Sequence, residues 1–212
     1  MTSNPSLPRR GRPPKAPQDA QARQRLLRVG IEHLTERGYS SASVDSILSA
    51  ADVPKGSFYH YFRDKADFGL ALIDAYDAFF VGLLSRSFED SALAPIDRLR
   101  HFTREAEAGM ARHDFRRGCL VGNLGQEMGA LPEPFRVRLT SVLQGWQRRT
   151  AKVLRAAQAT GAMATHHDPD ALAVFFWIGW EGAVLRAKLE RNAGPLALFA
   201  THFFELIETV TE

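Results

Sequence analysis

The sequence predicts an all-α protein, and three observations carry that expectation. Apolar residues recur at helical spacing from Asp19 to the C-terminus. No alternating run is long enough for a strand, and no segment repeats. The helix breakers, among them Gly38, Pro54, Pro95, Gly161 and Gly194-Pro195, fall between the periodic stretches.

The elements follow in order. Residues 1–18 are polar and carry Pro5, Pro8, Pro13, Pro14 and Pro17, the composition of an extended arm. Leu27, Gly30, Ile31 and Leu34 then mark one face of a helix that Gly38 ends. Ser43 caps a short helix with Val44, Ile47 and Leu48. Asp52, a residue tolerant of positive φ, turns the chain, and Pro54 opens a second short helix that Tyr61-Phe62 close. Asp64 caps a helix from Lys65 to about Phe88. Further helices are expected from Pro95 to about His113 and from Arg116 to Ala130. Pro132-Glu133-Pro134 breaks the second of these, and Phe135–Ala159 follows. Asp168-Pro169-Asp170 opens a helix to about Arg191, and a last helix follows Gly194-Pro195.

Composition excludes several classes. The chain has 212 residues and 45% apolar content, enough for a core without covalent staples and too apolar for a disordered protein. One cysteine excludes an intramolecular disulfide framework and a multi-cysteine zinc site. The longest apolar run, Ala171–Trp180, has ten residues, short of the ~18 that span a membrane. The basic N-terminus lacks the apolar stretch of a secretory signal, so a cytoplasmic location is expected. No cofactor and no metal are expected. His166-His167-Asp168 looks metal-like, but a helix start explains Asp168 and a loop explains the histidines.

Charge is divided unevenly. Residues 1–70 hold eleven Lys and Arg against seven Asp and Glu, whereas the remainder hold sixteen against seventeen. Arg9, Arg10, Arg12 and Lys15 face no acid in the arm, and such an excess attracts polyanions. A helix of about eight residues, a three-residue turn and another short helix have helix-turn-helix size. In the second helix Phe58, Tyr61 and Phe62 share the inner face. Lys55, Gly56, Ser57, Tyr59 and His60 are left outward, where Tyr59 and His60 can donate to phosphates or base edges. The competing reading makes Tyr59 and His60 caps on an aromatic cluster. Lys65 follows within reach of a phosphate.

Leu26-Leu27, Gly38-Tyr39, Ser43-Val44, Ile47, Ala50–Val53, Lys55–Phe62 and Lys65 resemble the DNA-binding domain of TetR-type repressors across about residues 22–68. Asp52 stands where that family usually has Gly, and His33 at a usually apolar position. The resemblance implies a ligand-released, dimeric repressor on a palindromic operator. Its domains are then a basic arm (1–18), a helix-turn-helix domain (19–68) and a helical effector-binding and dimerisation domain (69–212). It also implies DNA contacts from Ser43, Lys55, Tyr59, His60 and Lys65. The arm, Pro8–Lys15, resembles an AT-hook core, whose Gly-Arg-Pro lies in a narrow A·T minor groove. Non-specific attraction to phosphates is the other reading of the arm.

In the C-terminal part, Gly118, Gly122, Gly125 and Gly129 are spaced as one stripe of a helix. They suit either close packing or a marginal helix that a ligand shifts. Cys119 and Asn123 are i, i+4 neighbours, with Glu127 continuing the row. Cys119 is either a small buried hydrophobe or a reactive thiol, with Arg116 and Arg117 placed to lower its pKa. The segment Gly118–Leu124 resembles that of a TetR subgroup responding to maleimide-type electrophiles and acrylate. Ligand candidates are Tyr76, Arg116, Cys119, Asn123, Trp146, Trp177, Trp180 and Glu181, with Arg116, Arg186 or His101 as partner for an acid. The aromatics among them serve equally as ordinary core. Val174, Ile178, Leu185, Leu189, Leu198, Phe199, Phe203, Leu206 and Ile207 offer a dimer surface. No nucleophile elbow, Walker loop, dinucleotide fingerprint or zinc-protease motif supports an enzyme. An activator, or an architectural protein using its arm, remains the alternative among DNA binders.

Overall fold

The computed structural model describes residues 17–208. Among them are nine helices: α1 (Pro17–Arg37), α2 (Val44–Ala50), α3 (Lys55–Tyr61), α4 (Lys65–Phe88), α5 (Pro95–Ala111), α6 (Leu120–Gln126), α7 (Glu133–Ala159), α8 (Pro169–Glu190) and α9 (Gly194–Ile207). The described residues form no strand, only an isolated bridge between Met163 and Glu208. The all-α expectation holds. α1 starts at Pro17, two residues before the expected point, and most of the arm lies outside the described residues.

Local chemistry sets the first four helices. Gly38 ends α1 at φ +83°, and Asp52 turns the chain at φ +50°. The Ser43 hydroxyl accepts from Ser46 N at 3.0 Å, and the Asp64 carboxylate accepts from Asp67 N at 2.7 Å. Pro54 is the N-cap of α3 rather than its first helical residue. Phe58, Phe62 and Phe68 pack with ring centroids 4.7–5.5 Å apart, which locks α3 onto α4. α1 crosses α4 at Gly30, where a Cβ would fall 2.7 Å from Leu72 Cδ2. The buried face of α1 is Leu26, Val29, Gly30 and Leu34. Leu27 and Ile31, expected in the core stripe, are only half-buried and line a cavity instead.

α4 is the central helix of the remainder and packs on α1, α5 and α7. It is long and apolar enough to cross a membrane by length and composition, a match that a search for uninterrupted apolar runs misses. Here it serves the core, burying Phe68, Leu72, Ile73, Tyr76, Phe80 and Leu84. α7 and α8 pack on one another around Trp146 and Trp177, both fully buried. Their indole N–H groups are satisfied by Asp77 Oδ1 and Thr150 Oγ1, each at 3.0 Å. A buried indole without such a partner is costly.

The stretch 116–130 departs most from expectation. Only Leu120–Gln126 is helical. Asp114 and Phe115 have positive φ, and Gly118 N donates to Thr35 O on α1 instead of to a local helical carbonyl. Gly118 therefore precedes the helix and Gly129 follows it, so the four glycines form no continuous stripe. Pro134 likewise opens α7 from its first turn rather than breaking a helix before it.

α8 is also not buried all round, as its composition suggested. Phe176, Trp177 and Trp180 are buried, whereas Phe175 and Ile178 are 49% and 68% exposed. With Val174, Leu189, Leu198 and Leu206 they form an open apolar face on α8 and α9. Phe203 and Ile207, expected on that face, are buried within the chain's own core, while Leu185 and Phe199 are half-buried.

Candidate functional site

The N-terminal helices present one polar face. Lys55, Gly56, Tyr59 and His60 are exposed on α3, Ser57 is half-buried beside them, and Ser43 is exposed at the start of α2. Tyr59 is 69% exposed, whereas Phe58 on the opposite side is buried. A Cβ added at Gly56 would meet nothing within 4 Å, so the backbone there is open to approach. Lys55 Nζ pairs with Asp45 at 2.9 Å, and this carboxylate raises the Lys55 pKa. A phosphate would compete with Asp45 for that ammonium. Lys65 is half-buried and donates to Tyr39 O at 3.0 Å, with its ammonium 4.4 Å from the Tyr39 ring centroid. It ties α4 to the α1–α2 turn. Arg9, Arg10, Arg12 and Lys15 lie outside the described residues.

A cavity of about 680 Å³ lies between α1, α4, α5 and α8, within the size range of small-molecule sites. Of the eight ligand candidates, Tyr76, Cys119, Trp180 and Glu181 line it. Arg116, Asn123, Trp146 and Trp177 do not. Arg116 is exposed at the surface, and the two tryptophans are core residues. Arg28, Arg86, Arg112 and Arg117 also line the cavity, with His113 beside them, and give it the cations that sequence reasoning sought elsewhere. The earlier candidates are engaged otherwise: Arg186 pairs with Glu190 and His101 meets Ser87. A smaller cavity of about 330 Å³, lined by Leu84, Phe88, Arg98 and Lys152 among others, holds none of the eight.

Three titratable groups meet at one end of the large cavity. Cys119 is the N-cap of α6, Glu181 projects from α8, and Tyr76 comes from α4. Burial raises the Cys119 thiol well above its ordinary pKa, and Glu181 adds to the effect. Arg116 and Arg117 therefore do not activate the thiol; Arg117 instead pairs with Glu32 at 3.4 Å. Burial also pushes Glu181 up to about 7, against the opposing effect of hydrogen bonding with Cys119. Glu181 Oε2 is buried without a hydrogen-bond partner. The carboxyl lies against Gly122, where a Cβ would collide with that oxygen.

The far side of α6 grips the N-terminal helices. Asn123 Nδ2 donates to Leu34 O at 3.0 Å and to Thr35 O at 2.8 Å. Lys188 Nζ and Gly118 N reach the same Thr35 carbonyl at 2.9 and 3.2 Å. The last turn of a helix leaves carbonyls without intrahelical partners. For α1, groups from the C-terminal part of the chain supply them. Glu127 then accepts from Tyr39 N and Ser40 N, each at 2.8 Å. Burial raises its carboxyl, but the Ser40 hydroxyl and amide, the Tyr39 amide and Lys65 outweigh that and hold it below the ordinary range. Asn123 thus joins two parts of the chain rather than lining the cavity. The even spacing of 119, 123 and 127 was visible in sequence, but the partners were not.

Residues 26–72 match the family described as bacterial regulatory proteins, tetR family. Residues 95–203 match the tetracyclin repressor-like, C-terminal domain. The chain is 64% identical to the transcriptional regulator AcuR of Cereibacter sphaeroides, over 99% of this chain and 96% of that protein. It is 35% identical to the transcriptional repressor DhaR of a Mycobacterium species, covering 90% and 94%. Among solved structures, a regulatory protein TetR from Rhodobacter sphaeroides superposes with a TM-score of 0.87 at 66% identity, covering 88% and 98%. The reduced form of Escherichia coli NemR gives 0.82 at 27%, covering 90% and 98%.

Proposed function

The chain belongs to the TetR family of DNA-binding transcriptional regulators, and we propose that it is a ligand-released repressor acting as a homodimer on a palindromic operator in the cytoplasm. It is a regulator, not an enzyme. The observation that carries the ligand-release reading is the position of α6. One end of this seven-residue helix borders the cavity through Cys119, and its other side holds the end of α1 and the turn into α2. A ligand that displaces the cavity end of α6 moves the support of the DNA-binding helices. It releases DNA to the extent that it binds the displaced arrangement more tightly.

The DNA contacts fall to Ser43, Lys55, Gly56, Ser57, Tyr59 and His60, with Lys65 behind them and Arg9, Arg10, Arg12 and Lys15 reaching from the arm. The exposure of Ser43, Lys55, Gly56, Tyr59 and His60 supports this, whereas Ser57 and Lys65 are half-buried beside them. The open apolar face of α8 and α9 supplies the dimer contact, which sets the two α3 helices about one DNA turn apart, ~34–36 Å.

The effector is a small unsaturated carboxylate or related electrophile, of which acrylate is the simplest. The resemblance of Gly118–Leu124 supports this class, as do a thiol and five cationic or imidazole side chains lining one cavity. A three-carbon acid fills only part of that volume, so the site also accommodates larger members of the class. A redox sensor would need a thiolate, which the burial of Cys119 disfavours.

The test uses the purified full chain and an operator selected from random DNA. Fluorescence anisotropy follows binding while acrylate, propionate, other small carboxylates and N-ethylmaleimide are added in turn. Release by acrylate at a concentration where acetate has no effect supports the reading. Binding untouched by every member of the panel contradicts it.

A further inference from the structure

The group least explained by folding is Glu181. An unpaired buried carboxyl oxygen costs stability, and no ion pair compensates it. A glycine at position 122 leaves room for the carboxyl, because any side chain there would collide with Oε2. The result is a carboxyl held beside the thiol of Cys119, in the wall of a cavity large enough for a small molecule.

We propose that Glu181 is the proton relay of a covalent capture step, in which the Cys119 sulfur adds to an α,β-unsaturated acid or carbonyl compound. Glu181 takes the thiol proton as the sulfur bonds to the β-carbon. The carbon–carbon π pair moves to the α-carbon and the carbonyl oxygen as an enolate. Glu181 then returns the proton to the α-carbon. One S–H bond and one π bond are lost, one C–S bond and one C–H bond form, and no oxidant or reductant is consumed.

The chemistry matches the surroundings. A buried thiol whose pKa is raised holds its proton at neutral pH and needs a base to act as a nucleophile. A base serves best when its own pKa lies near the working pH, and burial places Glu181 there, at about 7. Tyr76, from α4, lines the cavity with the same cysteine, and burial keeps it a neutral phenol. Once Glu181 holds the proton it no longer repels a ligand carboxylate. The remaining titratable and charged groups of the cavity come from α1 (Arg28, Glu32), α4 (Arg86), α5 (Glu105) and the segment between α5 and α6 (Arg112, His113, Arg117). None of them sets the Glu181 value, which burial and Cys119 determine. On α8 itself, Lys188 is bonded to Thr35 O.

The proposal rests on the reading of this cavity as the effector site, and the experiment separates the two. Full-length protein is treated with acrylate or N-ethylmaleimide between about pH 5.5 and about pH 9, and adduct formation is followed by intact mass. In the wild type the rate rises with pH and levels above about 7, where Glu181 is ionised. In Glu181→Gln the rate at neutral pH falls by about a hundredfold and keeps rising through the alkaline range, because only the free thiolate reacts. Glu181→Asp, which keeps a carboxyl, restores the levelling. Cys119→Ser forms no adduct. Glu181→Gln reacting at the wild-type rate with the wild-type profile overturns the relay. Operator binding is read on the same samples. Adduct formation with the expected profile but unchanged DNA affinity keeps the relay and removes the effector reading. DNA release by acrylate without any adduct keeps the effector reading and overturns the relay.

Discussion

Replacing Glu127 by glutamine tests how the two halves of the chain communicate. The carboxylate accepts from Tyr39 N with one oxygen and from Ser40 N with the other, each at 2.8 Å. Glutamine keeps one acceptor and turns an NH2 group toward the second N–H. One charge-assisted bond is lost and the other becomes a neutral one. Bonds to charged groups are worth ~1.5–3 kcal/mol each. Ser40 is exposed, so water replaces part of its loss, and the net cost is about 1–2 kcal/mol. That corresponds to a factor of about 5–30 in an equilibrium. If ligand release passes through this grip, the factor by which acrylate weakens operator binding falls by about that much in Glu127→Gln. Amide hydrogen exchange at Tyr39 and Ser40 accelerates alongside. The wild-type grip also depends on pH in a definite direction. Because the folded-state pKa of Glu127 is depressed, its contribution is complete above the ordinary carboxylate value of 4.5 and fades as pH falls through the lower folded value. Glu127→Gln removes that acid limb. Unchanged amide protection together with a full acrylate response would refute the role given to α6.

Three further outcomes follow from other parts of the molecule. Thr150→Val leaves the Trp177 indole N–H buried without its acceptor and lowers stability by ~1–3 kcal/mol, read as a lower urea midpoint at constant slope. Ile178→Asp puts a charge on the open face of α8, where Ile178 is 68% exposed. The folded monomer tolerates it, whereas sedimentation shows the dimer lost and operator affinity falls with it; an intact dimer contradicts the proposed interface. Deleting residues 1–15 removes four basic side chains and flattens the dependence of operator affinity on salt, so an unchanged slope would take the arm out of the DNA interface.

Most of the fold was legible because its signals are local. Ser43 and Asp64 are caps, Gly38 and Asp52 turn the chain, and Asp168 caps α8 through Asp170 N, all from short-range geometry that sequence encodes directly. The two faces of α3 were legible for the same reason, since Phe58 and Phe62 against Tyr59 and His60 already divide an inner face from an outer one. The cavity was only half legible. Residue type pointed to Tyr76, Cys119, Trp180 and Glu181, but type alone does not separate a buried tryptophan in the core from one in a wall. Trp146 and Trp177 are of the first kind. The cavity's arginines and its histidine lie on two helices and a connecting segment that are far apart in the chain, and only packing brings them together. The helix expected over 116–130 failed because long-range bonds to α1 won over local periodicity. Gly118, Asn123 and Glu127 all spend hydrogen bonds on the end of α1 and the turn beyond it.

The most direct test of the account fills the cavity. Ala106, on α5, lines it and is half-buried, so Ala106→Trp occupies the ligand's space without altering any residue of α1, α2 or α3. Operator affinity with and without acrylate is the measurement. The account predicts that the variant binds DNA about as tightly as the wild type and is no longer released by acrylate. Release at the wild-type acrylate concentration would contradict it.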